Sequence, residues 1–136
     1  MLRKRMERAS IGEWRTFASL CPPRLFEWVL QRSDPELYAI LLRNPRMTQE
    51  RLMKLIHGQQ MTRDLAVAIE RNPRWFVHKA IRKSLIYCKK GNLTTSLSAL
   101  RGMTRTELDE IAASHSVHPL VRRTASKEVR KSEPEQ

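Results

Sequence analysis

The tetrapeptide Arg43-Asn44-Pro45-Arg46 recurs unchanged 28 residues later as Arg71-Asn72-Pro73-Arg74. Each copy follows a short apolar run, Leu37-Tyr38-Ala39-Ile40-Leu41 before the first and Leu65-Ala66-Val67-Ala68-Ile69 before the second. Self-similarity at a period of roughly 20–50 residues points to stacked helical units, each burying its apolar face only against its neighbours. The junction therefore predicts an all-α chain: a short α-solenoid of three or four helical hairpins in a right-handed array. Such an array is more often a surface for holding a partner than a pocket for chemistry.

Cap and breaker residues divide the chain further. Ser10-Ile11-Gly12-Glu13 has the form of a capping box, in which the serine and glutamate side chains satisfy each other's backbone N–H groups. It starts a helix that runs to Cys21, where Pro22-Pro23 ends it. A second helix is expected over Pro23–Gln31 and a third over Pro35–Arg43. Asn44-Pro45 stops the third, because the residue before a proline is pushed out of the α region. Thr48 then caps Gln49–His57, with Gly58 as its left-handed stop, and Thr62 opens Arg63–Arg71. A sixth helix, predicted as the longest, covers Arg74–Lys90. Shorter ones follow over Thr95–Arg101 and from a second capping box, Thr104-Arg105-Thr106-Glu107, to Ser114. The last covers Pro119–Lys131. The expectation is about eight or nine short helices forming one domain over residues 10–131, behind a basic arm (1–9) and before a disordered polar tail (132–136).

Composition narrows the class. The 136 residues, 40% hydrophobic and 29% charged, can bury a modest core without metals or disulfides. The two cysteines, Cys21 and Cys88, have no metal-ligand spacing and read as reduced, apolar side chains, as in a cytoplasmic protein. No apolar run reaches the ~18 residues of a membrane span. The net charge of +12 lies mostly between residues 10 and 119. A field of this sign attracts nucleic acid, anionic lipid or an acidic protein face alike.

The segments Leu93-Thr94-Thr95-Ser96-Leu97-Ser98-Ala99-Leu100-Arg101, Leu108-Asp109-Glu110-Ile111-Ala112 and Val117-His118-Pro119-Leu120-Val121-Arg122-Arg123-Thr124-Ala125, with the Arg-Asn-Pro turns, resemble a group of bacterial helical-repeat proteins with variant HEAT-like repeats. The resemblance covers roughly residues 35–127. It implies a scaffold or adaptor and carries over no catalytic residue. The 28-residue spacing is shorter than that of ordinary HEAT units.

The basic residues Arg71, Arg74, Lys79, Arg82, Lys83, Lys89 and Lys90 occupy a stretch without a single acidic residue. On a continuous helix Lys79, Arg82, Lys83, Ile86 and Lys90 form one stripe, opposite Val77, Ala80, Ile81, Ser84, Leu85 and Cys88. The stripe reads as a polyanion-binding ridge, as a solvated face, or as charge balanced by a neighbouring helix through Asp109 and Glu110. Arg43 and Arg71, in last helical turns, suit pairing with C-terminal carbonyls. Arg46 and Arg74 lie beyond the prolines and are freer to grip phosphate or carboxylate. Trp75 stands beside the stripe, where it would either stack on a ligand or join the core.

Chemistry has few footholds. His115 and His118 lack the further ligands zinc needs, Asp109 and Glu110 point apart on a helix, and no phosphate-binding or nucleophile motif is present. The sequence thus predicts a non-enzymatic interaction module without cofactor or metal. Its basic face (Arg46, Arg74, Trp75, Lys79, Arg82, Lys83, Lys90) would hold an acidic protein partner or, alternatively, a DNA or RNA backbone. Membrane binding ranks below both, because no helix pairs a basic face with exposed aromatics. An incompletely capped end at the first helix, with Trp14 and Phe17, would suit a homodimer.

Overall fold

The computed structural model describes residues 6 and 8–132. These residues are all-α: ten helices and no strand. The helices are α1 (Ile11–Leu20), α2 (Phe26–Leu30), α3 (Pro35–Leu42), α4 (Gln49–Ile56), α5 (Arg63–Glu70), α6 (Pro73–Phe76), α7 (Lys79–Tyr87), α8 (Leu93–Ser98), α9 (Arg105–Ala113) and α10 (Pro119–Ser132). A single 3-10 turn, Pro23–Leu25, precedes α2 and divides the predicted second helix. None of the described helices is long and apolar enough to cross a membrane.

The helix starts follow from the cap residues. Ser10 and Glu13 close one capping box, Thr104 and Glu107 another. Asp34, Thr48, Thr62, Asn72 and Asn92 each accept a bond from a first-turn N–H, satisfying donors that a helix leaves open. His118 does the same for α10 through Nδ1, which accepts from the Leu120 N–H at 3.1 Å.

Packing follows alternate elements. α1 lies on α3, α3 on α5, α5 on α8 and α8 on α10, which makes one layer. On the other side α4 packs on α7, and α9 pairs with α10. The core has two parts. One runs from Met6 to Leu85 and the other from Ile86 to Val129, and Phe76 packs against both.

The largest departure from expectation is the sixth helix. It breaks at Val77–His78, where His78 is extended (ψ 122°), and α7 ends at Tyr87, before Lys90. On one straight helix at 100° per residue Trp75 and Ile81 would stand about 120° apart. Both are buried, one on each side of the break. Val77, which was expected in the core, lies at the break and is 67% exposed. Ile86, assigned to the basic stripe, is buried instead.

The termini also correct expectations. Met6 sits in the core, whereas residues 1–5 and 7 of the expected arm lie outside the described residues, as do residues 133–136 of the expected tail. Trp14 is fully enclosed, and with Phe17 and Trp28 it forms an edge-to-face cluster with centroids 5.2–5.9 Å apart. These rings hold α1 on the core, with Trp14 buried and Phe17 half-buried. The exposed apolar residues of α1 are Ile11 and Leu20.

Candidate functional site

Two lysines of the predicted basic stripe share one carboxylate inside the fold. Lys79 Nζ lies 2.9 Å from Glu107 Oε1, and Lys83 Nζ lies 3.0 Å from Oε2. Glu107 also accepts from the Thr104 N–H at 3.0 Å, and its side chain is only 14% exposed. The Lys79 ammonium, the Thr104 N–H and the Lys83 ammonium hold its carboxyl well below the usual carboxylate range. The Glu107 hydrogen bond in turn raises the Lys83 pKa. The direct counter-charge is therefore Glu107, on the same helix as Asp109 and Glu110, which the sequence suggested; Glu110 adds a weaker attraction for Lys83. Glu107 was legible only as a capping residue.

Arg82 donates from Nη1 to the Arg101 carbonyl and so ties α7 to the turn after α8. Lys90 stands beyond the end of α7, beside a separate hollow with Tyr87, Cys88 and Lys89. Trp75 is 4% exposed, and its indole Nε1 donates to the Leu42 carbonyl at 2.7 Å. It belongs to the core, which removes it as a stacking surface. Of the seven residues proposed from sequence, the structure does not gather one patch.

It gathers another. Between α3 and α5 lies a groove of about 570 Å³ lined by Arg43, Asp64, Arg71, Asn72 and Arg74 over Ala39, Val67 and Ala68. Its geometry is set by helical spacing. Pro35, Ala39 and Arg43 follow one another at intervals of four along α3, and Asp64, Val67, Ala68 and Arg71 share one face of α5. Small side chains on both facing stripes keep the floor low. Arg43, Arg71 and Arg74 are all exposed. The Arg74 guanidinium rests 4.6 Å from the Trp75 ring centroid, a cation–π contact that fixes its direction. The Arg43 and Arg71 side chains have no hydrogen bond or ion pair among the described residues, contrary to the expected pairing with helix carbonyls. Arg46 is exposed but stands outside this groove.

Asp64 does not cancel the arginines. It lies seven residues before Arg71 on α5, about 10 Å away along the axis, and forms no ion pair among the described residues. The groove therefore carries a basic end, an apolar floor and one carboxylate at the far end. Planar guanidinium forks above apolar surface suit carboxylates on an otherwise uncharged chain.

Among the described residues no group of three or more His, Cys, Asp or Glu side chains could hold a metal ion. His115 Nδ1 faces Arg122 Nη1 at 3.4 Å, and His118 is a helix cap. Both cysteines are free. Burial pushes the Cys21 thiol up to about 11, and burial also raises that of Cys88, so neither is poised as a nucleophile. Compared with known proteins, the chain matches no family model, no curated protein and no solved structure.

Proposed function

We propose that this chain is a non-catalytic helical-repeat interaction module, an adaptor or scaffold that holds an acidic segment of a protein partner. The observation that carries this reading is the groove in which Arg43, Arg71 and Arg74 surround an apolar floor. The repeated Arg-Asn-Pro-Arg junction is in keeping with such a module, and free cysteines suit a reducing, cytoplasmic setting. The partner surface differs from the one the sequence singled out: Lys79 and Lys83 are engaged by Glu107, whereas the groove arginines are open to a ligand.

The +12 net charge favours a second reading, sequence-tolerant binding of a nucleic-acid backbone. The two separate in a fluorescence anisotropy titration with a short acidic peptide, a random duplex and a single strand, at about 50 and 200 mM salt. The adaptor reading expects saturable peptide binding that is lost in the Arg43→Gln/Arg71→Gln/Arg74→Gln variant and kept in Lys79→Gln/Lys83→Gln. Peptide binding that survives the arginine changes would overturn it. Indiscriminate oligonucleotide binding with a steep salt slope would replace it with the second reading.

A further inference from the structure

The groove between α3 and α5 does not stop at α5. Arg71 and Pro73, which close it, also line a second hollow of about 470 Å³ with Phe76, Val77, Arg82 and Arg101. Arg101 in turn borders a third, about 360 Å³, that reaches Thr124 on α10. The three hollows abut along one layer of helices, α3, α5, α8 and α10. Each of the first three of these helices is followed by an exposed arginine: Arg43, Arg71 and Arg101. Arg101 was not among the residues singled out in the sequence, because its turn, Arg101-Gly102-Met103, lacks the Asn-Pro of the other two. Its place is fixed by the bond from Arg82 to its carbonyl and by Gly102, whose φ of +73° only glycine adopts easily.

Packed helices stand about 8–10 Å apart. A polyproline II segment advances about 3.1 Å per residue with three residues per turn, so every third side chain returns to the same side after roughly 9 Å. A β-strand alternates sides at every residue, which turns the third side chain away. A helix advances only about 1.5 Å per residue and would need far more chain to span the layer. Between the second and third arginines Phe76 and the 67%-exposed Val77 offer apolar surface beside Glu70, Arg82 and Ser98. Of the acidic residues along the path, Glu70 accepts from Thr95 Oγ1 at 2.7 Å, Glu128 pairs with Lys131, and Asp64 stands at the far end of the first groove. No exposed Trp or Tyr offers a base a stacking platform among the residues lining the three hollows.

We infer that this face takes an extended, polyproline II-like acidic segment with a carboxylate at every third position, one for each of Arg43, Arg71 and Arg101. An apolar side chain of the segment seats on Phe76 and Val77. The inference rests on the acidic-segment reading above and specifies its register. Arg82 acts as a positioning residue for the third arginine.

Two fluorescent peptides of identical composition test it against the full chain: one with glutamate at every third position among proline and leucine, the other with the glutamates consecutive. The registered peptide is expected to bind about tenfold tighter. Arg101→Gln is expected to weaken the registered peptide about fivefold and leave the other unchanged, with an unaltered circular dichroism melt showing that the fold is intact. Equal affinity of the two peptides overturns the register while the acidic groove stands. Retention of full affinity by Arg101→Gln overturns the third contact. Failure of both peptides to bind overturns the register and the acidic-segment reading together.

Discussion

The two copies of Arg-Asn-Pro-Arg distribute the same task over different residues. A helix leaves its last carbonyls without partners, and in each repeat the following junction supplies one. In the first copy the donor is Asn44, wholly buried, whose Nδ2 reaches the Ala18 and Cys21 carbonyls at the end of α1 at 3.0 and 3.1 Å. In the second copy the donor is Trp75, whose indole reaches the Leu42 carbonyl at the end of α3. The residue equivalent to Trp75 in the first copy is Met47, which is buried but has no donor to offer. With tryptophan doing this work, Asn72 keeps only its cap to the Arg74 N–H and lines the groove. One residue outside the repeated motif thus decides whether the asparagine is a buried strut or a groove side chain.

This comparison is most exposed to Asn44→Ala. The change strands two buried carbonyls and removes the bond to the Arg46 N–H, and should cost about 2–4 kcal/mol in a urea unfolding titration. Asn72→Ala loses a half-exposed cap and should cost about 1 kcal/mol. Equal losses would break the distinction between the copies. Trp75→Phe comes next: it keeps most of the apolar bulk but leaves the Leu42 carbonyl unpaired, for about 1–3 kcal/mol by the same measurement. A negligible loss would show that the indole bond is not what closes α3.

How much of this could be read in advance follows from the range of each signal. The all-helical class and most helix starts were legible, because caps such as Ser10/Glu13, Thr48, Thr62 and Thr104/Glu107 act over three residues of sequence. The break at Val77–His78 was not, since periodicity along Arg74–Lys90 suits one helix and neither residue is the proline or glycine that marks a helix break in sequence. The Glu107 pairs join residues 24 and 28 positions apart, beyond any local pattern. Of the groove, Arg74 was foreseen as a partner contact. Arg43 and Arg71 were read as turn-fixing residues because helix-end arginines commonly serve that way. Their opposition across Ala39, Val67 and Ala68 exists only once α3 packs on α5.

The basic residues after the second copy give the next contrast, between engaged lysines and open arginines. Glu107→Gln should cost about 1 kcal/mol at neutral pH, a modest value because Lys79 and Lys83 are 45% and 42% exposed. The sign with pH is fixed. Because the folded state holds the Glu107 carboxyl below its ordinary range, its contribution is complete at neutral pH and disappears as acid protonates it. In urea titrations the gap between the wild-type protein and Glu107→Gln should therefore start to narrow as pH falls through the ordinary carboxylate range and keep narrowing below it. A gap of constant size would assign the loss to the cap rather than to the ion pairs.

The smallest effect on stability is expected from Arg43→Gln/Arg71→Gln. Neither guanidinium has a hydrogen-bond or ion-pair partner among the described residues, and the two line one groove with the same sign of charge. Removing them should change the unfolding free energy by no more than about 0.5 kcal/mol. Relief of repulsion makes a slight gain as acceptable as a slight loss. A cost comparable with Glu107→Gln would mean that these arginines hold the turns together, as Lys79 and Lys83 hold α7 to α9. A null effect on stability combined with loss of acidic-peptide binding places their contribution outside the fold. That pairing of results, rather than either alone, distinguishes a binding edge from a structural one in a molecule where positive charge is everywhere.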